Sequence, residues 1–143
     1  MQLVPIPTTP EYLNASFDLW SPFLPHIAHR SPWSVGELLT KLCRHEVQPV
    51  LILDDRAQPV ALLGISIVED DGARVAELVW MTGKRRHEWQ SLIADVERYL
   101  RDHMKCLKCR PICRRGWRKF LEAHGYSQTG ETDDRHIIME KVL

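Results

Sequence analysis

The segment Thr82-Gly83-Lys84-Arg85-Arg86 has the residue types and spacing best suited to chemistry in this chain. It follows the apolar run Leu78-Val79-Trp80-Met81 and precedes a periodic stretch expected to be helical from about His87 to Met104. Strand, short loop and helix in that order gather unpaired backbone N–H groups, the positive end of a helix dipole and three cationic side chains at one point. A phosphate or pyrophosphate group suits such a point. A glycine there permits close backbone approach to phosphate oxygens, because no side chain stands in the way. Arg85 and Arg86 add guanidiniums that pair with phosphate in a bidentate fork.

Charge is distributed to match. The 143 residues are neutral overall, yet Lys84 to Lys119 holds twelve Lys/Arg against four acids, and residues 1–83 hold five basic against ten acidic residues. A basic segment of this kind suits a polyanionic ligand, either a phosphorylated cofactor or a nucleic acid. The four cysteines are Cys43, Cys106, Cys109 and Cys113. Cys106-x-x-Cys109 invites a zinc reading, but the stretch reads as a strand and its exit. Residues three apart on a strand point to opposite faces, so no metal site is expected.

The elements that must hold the loop in place follow from periodicity. Gln2 to Ile6 forms a first short strand. Thr9-Pro10-Glu11 opens a helix whose apolar stripe is Tyr12, Leu13, Phe17 and Trp20, and Pro22 and Pro25 break or restart it. Ser34-Val35-Gly36-Glu37 is a capping box ahead of a helix that sets Leu38, Leu39, Leu42 and Cys43 on one face. Pro49–Leu53, Val60–Val68 and Ala73–Met81 form an antiparallel meander, and the continuous apolar run of the middle strand implies burial on both faces. The helix after the loop turns Trp89, Leu92, Ile93, Val96, Leu100 and Met104 inward, with Glu97 and Arg101 paired at i,i+4. Leu107–Ile112 is a strand. A short helix with Trp117, Phe120 and Leu121 inside is stopped by Gly125, and His136–Val142 is the last strand. Trp80, Trp89 and Trp117 each fall on an apolar face and read as core residues. The strands before and after the loop are joined by a helix and should be parallel. The whole is a single α+β domain spanning 1–143, with a central mixed, mostly antiparallel sheet flanked by helices.

That order, with Trp80-Met81-Thr82-Gly83, the Trp89-bearing helix, Arg114-Arg115-Gly116-Trp117-Arg118-Lys119-Phe120-Leu121, Gly125-Tyr126 and Met139-Glu140-Lys141, resembles the GNAT superfamily of acyl-CoA N-acyltransferases. Within it the chain looks most like the small GNAT-like proteins of bacteriophages and prophages. The resemblance implies acetyl-CoA as cofactor, its pyrophosphate held by a loop of pattern Arg/Gln-x-x-Gly-x-Gly/Ala. The matching positions are Met81, Thr82, Gly83, Lys84, Arg85 and Arg86, with one glycine among them. Arg114, Arg115 and Arg118 are expected to join the Lys84–Arg86 loop in one anion site, because strand ends and helix starts converge on one rim in such folds. Glu77, on the strand before the loop, is the matching candidate for the base that strips the acceptor's ammonium proton, directly or through a water. The superfamily's tyrosine acid falls here on Leu121. Tyr126 is expected to pack under the sheet and His124 to face solvent at the helix end. Acceptor contacts are expected between Trp20 and Ser34, with His26 and Trp33 lining the pocket.

Three functions follow as expectations. The first is transfer of an acetyl group to an amine acceptor on a protein or small molecule. The second is a non-catalytic GNAT-fold phage protein, structural or in assembly, whose partners are virion or host proteins. The third and least favoured is nucleic-acid binding through residues 84–119, because the aromatics look internal. No apolar run reaches the ~20 residues that cross a bilayer, and Met1-Gln2-Leu3-Val4-Pro5 lacks the basic start and long apolar core expected of a signal peptide. The expected location is the cytoplasm of a bacterial host, or a phage particle under the second reading.

Overall fold

The computed structural model describes residues 1–143. Their order is β1 (Gln2–Pro5), α1 (Pro10–Ala15), α2 (Phe17–Trp20), α3 (Leu24–His29), α4 (Val35–Cys43), β2 (Gln48–Leu53), β3 (Pro59–Asp70) and β4 (Ala73–Gly83). Then follow α5 (Arg86–Trp89), α6 (Ile93–Arg98), β5 (Lys108–Cys113), α7 (Arg118–Ala123), β6 (Ser127–Glu131) and β7 (Ile137–Val142). The strands form one seven-stranded sheet in the order β1-β2-β3-β4-β5-β7-β6. Every pairing is antiparallel except β4 with β5, which is parallel as the intervening helix requires.

Side-chain alternation divides the core between the two faces of the sheet. Leu51 and Leu62 join Leu13, Trp20, Phe23, Leu24, Ile27, Leu38 and Leu42 of α1–α4 on one face. Val50, Ile52, Ala61, Leu63 and Ile65 meet Trp89, Ile93, Val96, Leu100 and Leu121 on the other. The run Val60–Ile65 is buried throughout because helices cover both faces. Pro22 and Pro25 sit at the starts of a 3-10 turn (Ser21–Phe23) and of α3, so the bend restarts the helix. The capping box is present at α4: Ser34 Oγ accepts from the Glu37 N–H at 3.1 Å and Glu37 accepts from the Ser34 N–H at 3.4 Å. Gly125 adopts φ +92°, which ends α7 and lets the Tyr126 N–H bond the Leu121 carbonyl.

Four expectations need correction. The helix after the loop is not continuous from His87 to Met104. It comprises α5, a 3-10 turn (Gln90–Leu92), α6 and a π-turn (Tyr99–His103). The apolar face survives because these turns keep Trp89, Ile93, Val96 and Leu100 inward, and the Trp89 indole donates to the Lys84 carbonyl at 2.8 Å. Glu97 does not pair with Arg101. It accepts from the Tyr126 hydroxyl at 2.8 Å and pairs with Lys141 at 3.0 Å, while Arg101 pairs with Asp102. Cys106 and Cys109 do not point to opposite faces. β5 starts only at Lys108, Lys105 turns the chain at φ 59°, and both thiols enter the same core. Finally, β6 has no counterpart in the sequence reading. Ser127–Glu131 is polar and forms an edge strand with a register shift between Gln128 and Gly130, so it lacks an apolar alternation.

Candidate functional site

The sheet opens where two local features of the sequence coincide. Gly64 pairs with Trp80 and Ile65 with Leu78, so Val79 is an extra residue on β4, a β-bulge. The extra residue reverses the alternation. Ala76 and Leu78 face the α6 side, whereas Trp80 faces the α1–α4 side. Gly64 makes room for this, since a Cβ there would lie 2.6 Å from the Trp80 ring. On the other strand, the β4–β5 ladder ends at Leu78 opposite Pro111, whose ring carries no N–H to continue it. Beyond this point the two parallel strands part.

A cleft of about 450 Å³ occupies the gap. Val79–Thr82 of β4 form one wall and Ile112, Cys113, Arg114 and Trp117 the other. The α3–α4 connection contributes Arg30 and Trp33, and the β6–β7 turn contributes Asp133, Asp134 and His136. His26 and Trp33, the residues expected to line an acceptor pocket, both lie in its lining.

The loop that follows β4 is held more tightly than its sequence implies. A Cβ on Gly83 would fall 2.4 Å from the Val60 carbonyl oxygen and 2.5 Å from Ala61 Cβ, so close packing on β3 explains this glycine. The Lys84 N–H donates to the Val60 carbonyl at 2.7 Å. Arg85 takes a left-handed φ of 56° and is neutralised by Glu88 and by Asp54, the latter at 3.0 Å. Its pairing with Glu88 comes first among the causes that raise its pKa. Arg86 behaves differently. Its guanidinium lies 4.5 Å from the Trp117 ring centroid, one Nη donates to the Gly116 carbonyl at 3.3 Å, and its Nε is buried without a partner. Met81 and Thr82 line the cleft itself.

Arg114 lines the cleft mouth, whereas Arg115 pairs with Glu131 at 3.0 Å. Burial first, and then the nearby charges of Arg30 and Arg86, hold the Arg114 pKa below its ordinary value. No carboxylate pairs with Arg30, Arg86 or Arg114. Arg30 escapes a reading of the sequence because it lies far from the basic segment and only folding of the α3–α4 connection delivers it.

Glu77 lies below the opening. It shares Arg110 with Asp70 and Glu140 and does not line the cleft. The titratable pair inside the cleft is His136 with Asp134, Nδ1 to Oδ1 3.2 Å, in a turn that Thr132 braces by bonding Asp134 and the His136 N–H. The one sequence signal for it is Thr132-Asp133-Asp134-Arg135-His136, a turn rich in polar residues. Cys113 also lines the cleft, but burial raises its thiol pKa to about 12, so it stays protonated and is no nucleophile at neutral pH. Leu121 is fully buried and cannot give a proton, and Tyr126 is buried with its hydroxyl committed to Glu97. His124 is exposed and its Nδ1 lies 2.8 Å from the Phe120 carbonyl. No three His, Cys, Asp or Glu side chains converge as a metal site.

Neither a family model nor a curated protein matches the sequence. Solved structures do match the fold. A chimera of Vibrio cholerae spermidine N-acetyltransferase SpeG and hSSAT superposes with TM-score 0.70 at 13% identity, covering 99% of this chain and 96% of that one. Aminoglycoside 6'-acetyltransferase type Ii gives 0.66 at 18% identity, covering 99% and 97%. Tetrahymena GCN5 gives 0.65 at 9% identity, covering 99% and 96%. The chain therefore has the mixed α/β fold of the GNAT acyl-CoA N-acyltransferases.

Proposed function

We propose that this chain is an acyl-CoA-dependent N-acyltransferase that moves an acetyl group from acetyl-CoA to an amine. The observation that carries this reading is the parting of β4 from β5 at Leu78 and Pro111, which leaves two facing strand edges and a cleft between them. Two of the structural neighbours, the SpeG chimera and the aminoglycoside 6'-acetyltransferase, are acetyltransferases by name and support the general activity.

The residues present suit the cofactor. Met81 and Thr82 would flank its extended arm, and Arg86, with its buried unpartnered Nε, would meet its pyrophosphate together with Lys84. Acetyl-CoA supplies the acetyl group as a thioester: an N–C bond forms as the C–S bond breaks, one ammonium proton ends on the departing sulfur and the other in solvent. His136, oriented by Asp134, takes the first proton from the acceptor ammonium, a role its position in the cleft permits and that of Glu77 does not.

A calorimetric titration with acetyl-CoA tests the reading. Saturable binding is expected, weakened about tenfold in Arg86→Ala, as for loss of one charged hydrogen-bonded contact. Absence of binding at millimolar acetyl-CoA would leave the competing reading, an inherited scaffold that serves in a phage particle or binds host or virion proteins. The substitution of Leu121 for the superfamily's tyrosine motivates that alternative.

A further inference from the structure

The order of the β6–β7 turn depends on one hydroxyl. The Thr132 N–H donates to the His136 carbonyl at 2.9 Å, and the His136 N–H donates back to Thr132 Oγ1 at 3.1 Å. Arg135, at φ 69°, reverses the chain between them. The same Thr132 hydroxyl donates to Oδ1 of Asp134, and that oxygen lies 3.2 Å from His136 Nδ1. The bond from Thr132 comes first among the causes that hold the Asp134 carboxyl below the ordinary carboxylate range, so the group beside Nδ1 is an anion at neutral pH. From β5, the Cys113–Ile137 pairing sets Arg114 beside His136, and a guanidinium offers donors only. The second ring nitrogen, Nε2, has no protein partner, yet the side-chain atoms closed off from solvent without one are Trp80 Nε1 and Arg86 Nε. Nε2 therefore stays accessible, in a residue that lines the cleft.

We infer that Thr132 is a positioning residue for the transfer: its hydroxyl holds Asp134 against His136 Nδ1, which keeps the imidazole proton on Nδ1 and leaves the Nε2 lone pair as the base. A neutral imidazole carries one N–H, and the acceptor beside one nitrogen decides which nitrogen has it. A base must also be held within hydrogen-bond reach of the proton it takes, so a loosened ring costs rate. Thr132 uses both capacities of its hydroxyl, an oxygen lone pair for the His136 N–H and the proton for Asp134. Valine has the same branching and neither capacity, whereas serine has both. The inference rests on the acyltransferase reading for the identity of the reaction, but the position of the proton on His136 is measurable without any substrate.

The test reads the ring nitrogens by long-range proton–nitrogen NMR on the full chain labelled with nitrogen-15 histidine. Loss of one ring's signals in His136→Gln assigns that ring among the seven histidines. Above the pH at which His136 becomes neutral, wild type should show a protonated Nδ1 and a lone pair on Nε2. Thr132→Val should shift the proton toward Nε2, and Thr132→Ser should keep it on Nδ1. Thr132→Ala, which also lacks the hydroxyl, replaces Thr132→Val if that variant fails to fold. Arg135→Gly is the control, because glycine suits the left-handed backbone there and touches neither bond of the hydroxyl. In turnover, Thr132→Val should lower kcat about tenfold, a part of what a positioned base supplies, with KM for acetyl-CoA nearly unchanged. Thr132→Ser should restore most of that loss. A wild-type ring protonated on Nε2 would overturn the inference, as would a Thr132→Val ring identical to wild type. Equal losses of kcat in Thr132→Val and Thr132→Ser, or an Arg135→Gly ring altered as much as that of Thr132→Val, would reduce Thr132 to a structural turn residue. Failure of acetyl-CoA to bind wild type would instead sink the acyltransferase reading, and the nitrogen spectra would still decide what Thr132 does to His136.

Discussion

The same two strands, β4 and β5, behave oppositely on either side of Leu78 and Pro111. In the closed half, Val75–Leu78 pair with Lys108–Pro111. Arg110 there is surrounded by Asp70, Glu77 and Glu140, and Lys108 also reaches Glu140. In the open half no ladder joins the strands, and the arginines at the cleft mouth have no carboxylate. Charge that is balanced within the protein stabilises the sheet. Charge left unbalanced around a cleft is available to a ligand. The contrast explains why Glu77, which sequence position nominates as a base, is held by a structural ion-pair network instead.

Substitutions in the two halves break or sharpen this contrast. Arg110→Leu has the largest expected effect. It takes the shared guanidinium from Asp70 and Glu77 and leaves Glu140 only Lys108, and should cost about 3 kcal/mol in chemical denaturation, the upper end for hydrogen bonds to charged groups. Next is His136→Gln, which acts in the open half. It should lower kcat about 100-fold with little change in stability, whereas Glu77→Gln should shift the denaturation midpoint and leave kcat nearly intact. The reverse pattern would return the base to Glu77. Gly64→Ala comes third. Its Cβ would press on the Trp80 ring, and overpacking of this kind should cost about 2 kcal/mol and narrow the cleft.

The smallest effect is Glu140→Gln. Burial pushes the Glu140 pKa up, but hydrogen bonds from Lys108 and Arg110 outweigh it and hold the value below the ordinary 4.5. A lowered folded pKa contributes stability that is fully present above the ordinary value and is lost as pH falls through the folded one. Wild type should therefore exceed the variant by about 1 kcal/mol near neutrality, and the difference should fade as the denaturation series is carried to pH values below the ordinary carboxylate range. A pH-independent difference would show that packing, not charge, is what the variant loses. Gly83→Ala, by contrast, is expected to lower the melting temperature with or without acetyl-CoA, because its Cβ meets the β3 backbone rather than a ligand.

Much of the scaffold was legible in the residues. Ser34 and Glu37 announced α4, Pro22 and Pro25 announced the bend, and the apolar run of β3 announced burial on both faces, because caps, prolines and periodicity act over a few residues. The buried roles of Trp80, Trp89 and Trp117 followed from the same periodicity. β6 was illegible because an edge strand of Ser, Gln, Thr, Gly and Glu carries no apolar period. The break of the helix after Arg86 was illegible because the 3-10 and π turns preserve the apolar stripe that marks a continuous helix.

The sequence by itself determined most of the segments that become strands and helices, the parallel joining of β4 and β5, and a basic loop after β4, all consequences of local periodicity and covalent order. Only the tertiary structure decided where charge stays unbalanced. Arg30 and Arg114 lie more than eighty residues apart, and Asp134 and His136 reach the cleft through a turn between two strands. Whether an arginine ends beside a carboxylate or beside an open cleft depends on which distant elements pack together, and Coulomb interactions act through space, not along the chain.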